Sequence, residues 1–542
     1  MDTITIVLVL LLAVVVSGAI SRSLPFSLPL PLVQIALGAM VGLVADLRVT
    51  LEPDIFFLLF LPPLLFLDGW RIPAEELLKD RSTILELSLG LVVFTVVGVG
   101  FFIDWIIPAM PLAVCFALAA VVSPTDPIAV SAIAQRVPIP KRMMHILEGE
   151  SLLNDASGLV CLRFGIAAAL TGTFSLYDAT LTFLWVALGG IFVGVAVTWG
   201  VTRAKDWITR RIGEETGSQI LISLLIPFAS YLLAEHLHCS GILAAVAAGV
   251  TMSFAESTGN ALAVTRIRRN TVWDMIQIAA NGIIFVLLGE QLPGILSRSV
   301  ETVKLTGHEN AWWLAVYVIA INVGLALLRF VWVWVSLQLT LFRTGRHRSS
   351  PSWRIVAAMS FAGVRGAITL AGVLTLPLAM NDGTPFPARD LAIFLAAGVI
   401  IVSLIAASVG LPVLLKGLQM PAEASRDAEE DAARIGAAEA AIAEIERVQH
   451  RLAEGRKDAD LYVAAASRIM ELYRQRIESR SREGEAGILL RRNEQIEREL
   501  RLAALRAERQ ELFRKMRRRE LGSDTARKLI RELDLLEARY TG

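Results

Sequence analysis

The chain has 542 residues, of which 55% are apolar and 19% are charged, and its formal net charge is +1. Soluble proteins usually carry nearer a quarter charged residues. About half of the 52 basic and 51 acidic residues lie after position 420, so the rest of the chain is poor in charge. This distribution excludes a soluble enzyme over residues 1–420 and is typical of a membrane protein. The near-neutral balance also excludes a basic domain that binds nucleic acid.

Thirteen segments are long and apolar enough to cross a bilayer, which takes about 20 residues. They lie near residues 4–21, 28–46, 53–69, 83–105, 110–134, 146–170, 181–202, 217–235, 237–255, 272–292, 311–340, 353–379 and 389–416. Alternate loops differ in charge, since nineteen Lys and Arg residues fall on one side and four on the other. Basic loops stay in the cytoplasm. The sequence therefore predicts a multi-pass protein of the inner (plasma) membrane, with its N-terminus outside and its C-terminal tail in the cytoplasm.

After residue 420 the composition changes to Ala, Glu and Arg, with apolar residues at helical spacing. This pattern predicts four amphipathic helices, near residues 424–455, 459–482, 487–520 and 523–540. The fold class is therefore all-α, with a membrane domain over residues 1–420 and a soluble helical domain over 421–542. The tail sequence has no glycine-rich phosphate loop and no metal-ligand cluster, so we expect a regulatory or dimer-associating role for it rather than catalysis.

The sixth span carries an ionisable group deep in the bilayer. Its sequence from Glu150 to Gly158 contains Asp155, which lies about 14 Å from the cytoplasmic end of the span, near the midplane. A charged side chain there costs about 2.5–3.5 kcal/mol on insertion scales, which marks Asp155 as functional. Ser151 lies one turn earlier on the same face and can share what Asp155 binds. Arg163 lies two turns later, either as a counter-charge to Asp155 or in a structural ion pair.

The fifth span contains a break at a similar depth. Pro124 and Pro127 flank Thr125 and Asp126, and two prolines three residues apart interrupt a helix. The freed carbonyl groups of a broken helix bind cations, and its freed N-terminus favours a nearby negative charge. Thr125 suits the first role and Asp126 the second.

The twelfth span contains a second break, at Gly363-Val364-Arg365-Gly366, because glycines weaken a helix interior. Arg365 would compensate the negative ends of broken helices or pair with Glu150. The fifth and twelfth spans are seven apart and therefore cross the membrane in opposite directions. This arrangement indicates an inverted-topology repeat with two broken, crossing helices and an ion site where they meet.

These motifs resemble those of monovalent cation/proton antiporter family 1, the sodium/proton exchangers of bacterial and animal membranes. The similar stretches are Glu150-Ser-Leu-Leu-Asn-Asp155, Thr125-Asp-Pro127, Leu61-Pro-Pro-Leu-Leu-Phe66 and Gly363-Val-Arg-Gly366, and the resemblance covers residues 1–416. It implies a homodimer in which a core bundle with the crossed, broken helices moves like an elevator against a dimerisation domain.

The resemblance also implies roles for single residues. Asp155 would bind the cation, Na⁺ or K⁺, or the proton, and Glu150 would form a buried pair with Arg365. Three neighbours would assist Asp155, namely Asn154, Ser151 and Thr125. The family often has an acid after the Leu-Pro-Pro motif; here Leu67 stands at that position, and Asp68 follows as the candidate.

The predicted function is electroneutral exchange of one Na⁺ for one H⁺. A single carboxylate that must release a proton to accept a cation gives obligatory exchange, and neutral Asn154 stands where electrogenic relatives have a second aspartate. K⁺/H⁺ exchange is the close alternative, because the sequence does not show how large the ion-binding site is. A cation channel gated by the tail would need a continuous pore, and a membrane-anchored scaffold would not need Asp155. We expect no enzymatic activity, no cofactor and no nucleic-acid partner.

Overall fold

The computed structural model describes the whole chain except residues 1–2, 24–27, 46–52, 72–85, 127–129, 131–140, 173–175, 257–261, 298–302, 304–309, 344–352, 417–423, 455–457, 482–484 and 542. The described residues form eighteen α-helices and one π-helical turn, Glu86–Gly90, and contain no β-strand beyond one isolated bridge. The chain divides into two compact units, Met1–Leu418 and Gln419–Gly542. The predicted all-α fold class is confirmed.

The helices of the first unit are α1 (Thr3–Ser23), α2 (Leu30–Ala45), α3 (Pro53–Arg71), α4 (Leu91–Ile106), α5 (Leu112–Val122), α6 (Lys141–Thr171), α7 (Leu176–Ile212), α8 (Thr216–His236), α9 (Gly241–Glu256), α10 (Ala263–Ser297), α11 (Trp312–Arg343), α12 (Trp353–Phe361), α13 (Ala367–Leu374) and α14 (Arg389–Leu415). Within the described residues, each predicted span overlaps one of these helices, or a break and a helix beside it. Among the described residues, seven helices are long and apolar enough to cross a membrane, and four further apolar helices are shorter. The first unit is therefore a multi-pass membrane domain, and the number thirteen stays a prediction.

The helices of the first unit pack in two groups. In one group α2 packs on α10, and α9 packs on α3, α7 and α8; in the other α5 packs on α4 and α6, and α11 packs on α4, α12 and α14. Glycines allow the tightest contacts. A side chain at Gly38 of α2 would overlap the Val286 carbonyl group of α10, and one at Gly289 would overlap that of Ile35. Small residues are what let helix backbones approach closely in a membrane.

The two predicted breaks exist and contact each other. Neither the segment that follows α5 nor the segment between α12 and α13 is helical. The backbone N–H of Asp126 donates to the carbonyl oxygen of Val364 at 2.7 Å, and Nε of Arg365 donates to that of Val122 at 2.8 Å. A side chain at Gly366, which precedes α13, would overlap the Asp126 carboxylate. The predicted meeting of two interrupted helices is confirmed.

A buried ion pair ties α6 to α11. Nη2 of Arg329 donates to Oε2 of Glu150 at 2.8 Å, and Nη1 contacts Oε1. Nε of Arg329 also donates to the carbonyl oxygen of Met359 in α12 at 2.9 Å. The two charged side chains are 3% and 1% exposed, so Arg329 and Glu150 neutralise each other away from water.

The predicted pairing of Glu150 with Arg365 is wrong. Nη1 of Arg365 contacts the carbonyl oxygen of Gly363, and Nε donates to that of Val122. Both carbonyl groups lie at helix breaks, where the helix no longer supplies backbone N–H donors. Arg365 satisfies these carbonyl groups, and Arg329 from another helix pairs with Glu150.

The interpretation of Arg163 as a counter-charge to Asp155 is also wrong. Nη2 of Arg163 donates to Oε1 of Glu235 in α8 at 2.9 Å, and the arginine side chain is half exposed. Asp155 is buried, two turns away along α6. The alternative prediction, that Arg163 forms a structural ion pair, agrees with the structure.

The second unit consists of α15 (Ala424–Ala453), α16 (Ala459–Ser481), α17 (Glu485–Arg517) and α18 (Ser523–Thr541), which confirms the four predicted tail helices. Arg480 of α16 pairs with Asp431 of α15 at 2.6 Å. Arg509 of α17 contacts Glu537 of α18, and this hydrogen bond lowers the pKa of the Glu537 carboxyl group. Charged side chains therefore link consecutive helices of the tail.

The buried ion pair gives the first testable prediction. Glu150→Ala or Arg329→Ala alone leaves a buried unpaired charge, at a cost of about 3–5 kcal/mol. Each variant should lower the thermal unfolding temperature of the detergent-purified protein sharply, and the double variant should lose less than the sum of the two. The control is Arg163→Ala, whose half-exposed pair contributes at most about 1 kcal/mol. Additive losses for Glu150 and Arg329 would contradict their pairing.

Candidate ion-binding site

A small cavity lies between the two groups of helices. Its volume is about 30 Å³, which is room for one or two water-sized occupants. The residues that line it are Leu64, Asp68, Pro124, Thr125, Asp126, Ser151, Asp155, Asn281, Gly366, Ile368 and Thr369. Helices α3 and α10 supply one wall, and the opposite wall comes from α6, α13 and the break after α5. The sequence placed both breaks and Asp155 at one depth, and here they face one cavity.

Three carboxylate groups line this cavity, those of Asp68, Asp126 and Asp155. Asp155 is 5% exposed, and within the described part of the chain no basic side chain forms an ion pair with it. An ionised carboxylate in such surroundings is costly unless a positive charge or a proton neutralises it. Carboxylates close together also repel each other when all are ionised. A cation or a proton in the cavity relieves both costs.

Hydroxyl groups line the same cavity as the three carboxylates. The side chains of Ser151 and Thr125 are buried and line the cavity beside Asp155. Ser151 precedes Asp155 by one turn of α6, as the sequence predicted, so both side chains lie on the same face. Carboxylate and hydroxyl oxygens are hard ligands, which suit alkali and alkaline-earth cations rather than soft transition metals.

Thr125 is fixed by a chain of hydrogen bonds behind the cavity. Its Oγ1 donates to Oε1 of Glu150 at 3.3 Å and accepts a hydrogen bond from Nδ2 of Asn154 at 3.0 Å. Glu150 is in turn held by Arg329. Asn154 is outside the cavity lining, and its Oδ1 makes no hydrogen bond with any described residue although it is buried. The structure therefore places Asn154 and Glu150 where they orient Thr125.

Of the remaining predicted residues, two lie at the breaks, one lies at the surface and one lines the cavity from α3. Asp126 lines the cavity and lies against Gly366, whereas Arg365 holds the carbonyl groups behind the breaks. Arg163 lies at the surface with Glu235. Asp68 is the candidate for the acidic residue that follows the Leu-Pro-Pro motif. It lines the same cavity as Asp155.

Sequence reasoning missed two lining residues and one partner. Asn281 comes from the middle of α10, and Thr369 comes from α13. Asn281 is a polar residue within an apolar span, so the rule that singled out Asp155 applies to it as well. Thr369 gives only a weak signal, because a threonine is common in membrane helices. The sequence shows that Arg329 lies within an apolar span, but it does not show that Arg329 pairs with Glu150.

Comparisons with known proteins identify the family of this chain. The family described as sodium/hydrogen exchanger, transmembrane, matches residues 7–417. The chain is 44% identical over 540 residues to the uncharacterised Na⁺/H⁺ exchanger YjcE of Escherichia coli, and 98% of each chain is covered. It is 43% identical over 424 residues to the sodium, potassium, lithium and rubidium/H⁺ antiporter of Bacillus pumilus. That match covers 76% of this chain and 61% of the Bacillus protein, so the chain spans about three-fifths of that relative.

The fold is also similar to that of a solved structure. The sodium proton antiporter MjNhaP1 of Methanocaldococcus jannaschii superposes with a TM-score of 0.55 at 18% identity, over 77% of this chain and 98% of the other. The resemblance expected from the motifs is thus confirmed in sequence and in fold. With the family match over most of its length, the chain belongs to the transmembrane sodium/hydrogen exchanger family.

Proposed function

We propose that this chain is a secondary active antiporter that exchanges Na⁺ for H⁺ across the membrane. The observation that carries the proposal is the buried cavity in which Asp155 has no basic partner among the described residues. Family membership supports it, as does the similarity to relatives that are named Na⁺/H⁺ exchangers. These findings do not favour K⁺/H⁺ exchange over Na⁺/H⁺ exchange.

Asp155 is proposed as the group for which Na⁺ and H⁺ compete. Ionised Asp155 offers a negative charge, with oxygens of Ser151, Thr125 and Asp68 facing the same cavity. A proton on Asp155 removes the charge that attracts the cation, so each ion excludes the other. If the carrier changes sides only when this charge is neutralised, exchange is obligatory, and it is electroneutral because one proton replaces one Na⁺.

The charges at the breaks are proposed to compensate helix dipoles. Asp126 lies against Gly366 at the N-terminus of α13, where the partial charge of a helix is positive. Arg365 contacts carbonyl groups of Val122 and Gly363, where the partial charge is negative. These residues would hold the site together, and Asp155 would exchange the ions.

The location of the cavity between two groups of helices supports alternating access. Movement of α5, α6 and α13 past α3 and α10 would open it to one side of the membrane and then to the other. A cavity of about 30 Å³ suits a carrier that occludes one ion better than a channel with a continuous pore.

We further propose that the protein is a homodimer in the inner membrane, with its N-terminus outside and its tail in the cytoplasm. The excess of Lys and Arg in alternate loops supports this orientation. The second unit would then act as a cytoplasmic domain that regulates exchange or associates across the dimer.

Replacing Asp155 tests the proposed function. Asp155→Asn removes the group that can hold either ion, so Na⁺-dependent proton movement in everted vesicles should fall to the background of vesicles without the protein. A pH-sensitive dye reports the proton movement after Na⁺ or K⁺ is added, and the response names the ion. The matched control is Asp104→Asn in α4, an acidic residue outside the cavity lining, which should retain exchange. Substantial exchange by folded Asp155→Asn would exclude this site.

Competition at one carboxylate also predicts the pH dependence. Where Asp155 is mostly protonated, the apparent KM for Na⁺ should rise by about tenfold for each unit that the pH falls. At high pH the rate should fall again, because few protons are available to return the carrier. The measurement is the initial rate at several Na⁺ concentrations across the pH range. A KM for Na⁺ that does not change with pH would contradict shared binding.

A further inference from the structure

The second unit contains a large cavity of its own among its four helices, with a volume of about 960 Å³. Five arginines line it, namely Arg434, Arg476, Arg480, Arg498 and Arg501, against two acidic residues, Glu478 and Glu497. Composition does not account for this excess, because residues 421–542 contain 26 basic and 25 acidic residues. Basic side chains therefore outnumber acidic ones among the residues that line the cavity.

Two of these arginines have no carboxylate partner among the residues that the structure describes. Arg434 pairs with Glu430, Arg480 with Asp431 and Arg501 with Glu497. By contrast, neither Arg476 nor Arg498 forms an ion pair with any described residue. Two guanidinium groups thus face one cavity without an acidic partner in the described part of the second unit.

The contacts of these two arginines with described residues use few of their N–H donors. Nε of Arg498 donates to the carbonyl oxygen of Tyr540, and the guanidinium group of Arg476 lies over the Tyr473 ring, 5.6 Å from its centroid. Guanidinium groups bind phosphate oxygens in a bidentate geometry that no lysine reproduces. The arrangement therefore offers an anion site with at least two guanidinium groups.

The same cavity offers flat surfaces for a ring. Tyr473 and Tyr540 both line it, and each lies beside an arginine, since the Arg501 guanidinium group is 5.5 Å from the Tyr540 ring centroid. Nucleobases stack on tyrosine rings and on guanidinium planes. Asn493, on the same wall, has an amide that can bond to the edge of a base.

We propose that this cavity binds a soluble nucleotide that carries two or more phosphate groups. Arg476 and Arg498 bind the phosphates, and Tyr473 or Tyr540 stacks on the base. The volume is at the upper end of the range for small-molecule sites, which suits a ligand of nucleotide size. A phospholipid headgroup shares the phosphate chemistry but has no base to stack, so the two tyrosines favour the nucleotide.

The test is calorimetric titration of the detergent-purified full-length protein with ATP, with tripolyphosphate and with short-chain phosphatidylglycerol. ATP should bind more tightly than tripolyphosphate, because only ATP has a ring. Arg476→Gln combined with Arg498→Gln should weaken ATP binding at least about tenfold, as expected for lost charged hydrogen bonds. The matched control is Arg492→Gln, an exposed arginine of α17 outside the cavity lining, which should change the affinity less than about twofold.

Three results would overturn the proposal. The first is that ATP does not bind at millimolar concentration although the tail helices are intact by circular dichroism. The second is that Arg492→Gln weakens binding as much as the double variant, which would indicate attraction to overall charge. The third is that phosphatidylglycerol binds and ATP does not. Asp155→Asn should bind ATP with unchanged affinity, so failure of the transport proposal and failure of this one are distinguishable.

Discussion

The structure of the membrane domain depends on how two broken helices satisfy the backbone groups that they expose. A helix that stops inside a bilayer leaves N–H and C=O groups without partners, and each such group costs several kcal/mol in hydrocarbon. Here each break supplies partners for the other. Asp126 donates its N–H to Val364, and Arg365 donates to carbonyl groups at both breaks. The irregular backbone is therefore stable only where the two breaks cross, and that requirement fixes the position of the cavity.

The second constraint is charge neutrality in a dry interior. Glu150 is neutralised by Arg329, and the same carboxylate accepts a hydrogen bond from Thr125. Asp155 lies five residues further along α6 and has no such basic partner among the described residues. Two acids on one helix thus have different environments: the paired one is a fixed part of the scaffold, and the other needs a neutralising ion. This difference is why we propose Asp155, and not Glu150, as the group that exchanges ions.

The sequence predicted what depends on local pattern. Apolar runs gave the spans, proline and glycine gave the breaks, and one-turn spacing placed Ser151 beside Asp155, because these features are set by residues close in the chain. The pairing of charged residues that are far apart in the chain does not follow from local pattern. Arg329 and Glu150 are 179 residues apart, and sequence alone does not show which arginine reaches a given acid. Asn281 of α10 likewise enters the cavity only because α10 packs beside α3.

The packing also places the buried ion pair and the helix breaks in one group of helices and Asp68 and Asn281 in the other. Arg329 in α11, Glu150 in α6 and Arg365 beside α13 all belong to the group of helices that contains the breaks. Asp68 and Asn281 belong to the opposite group, where α2 and α10 meet backbone to backbone through glycines. If the first group slides past the second, its ion pair and its capped helix ends stay intact, since their partners move with them. The carboxylates that line the cavity, Asp155 among them, would then change their electrostatic surroundings during the movement. We propose that the free energy of the transition depends on whether Asp155 is neutralised.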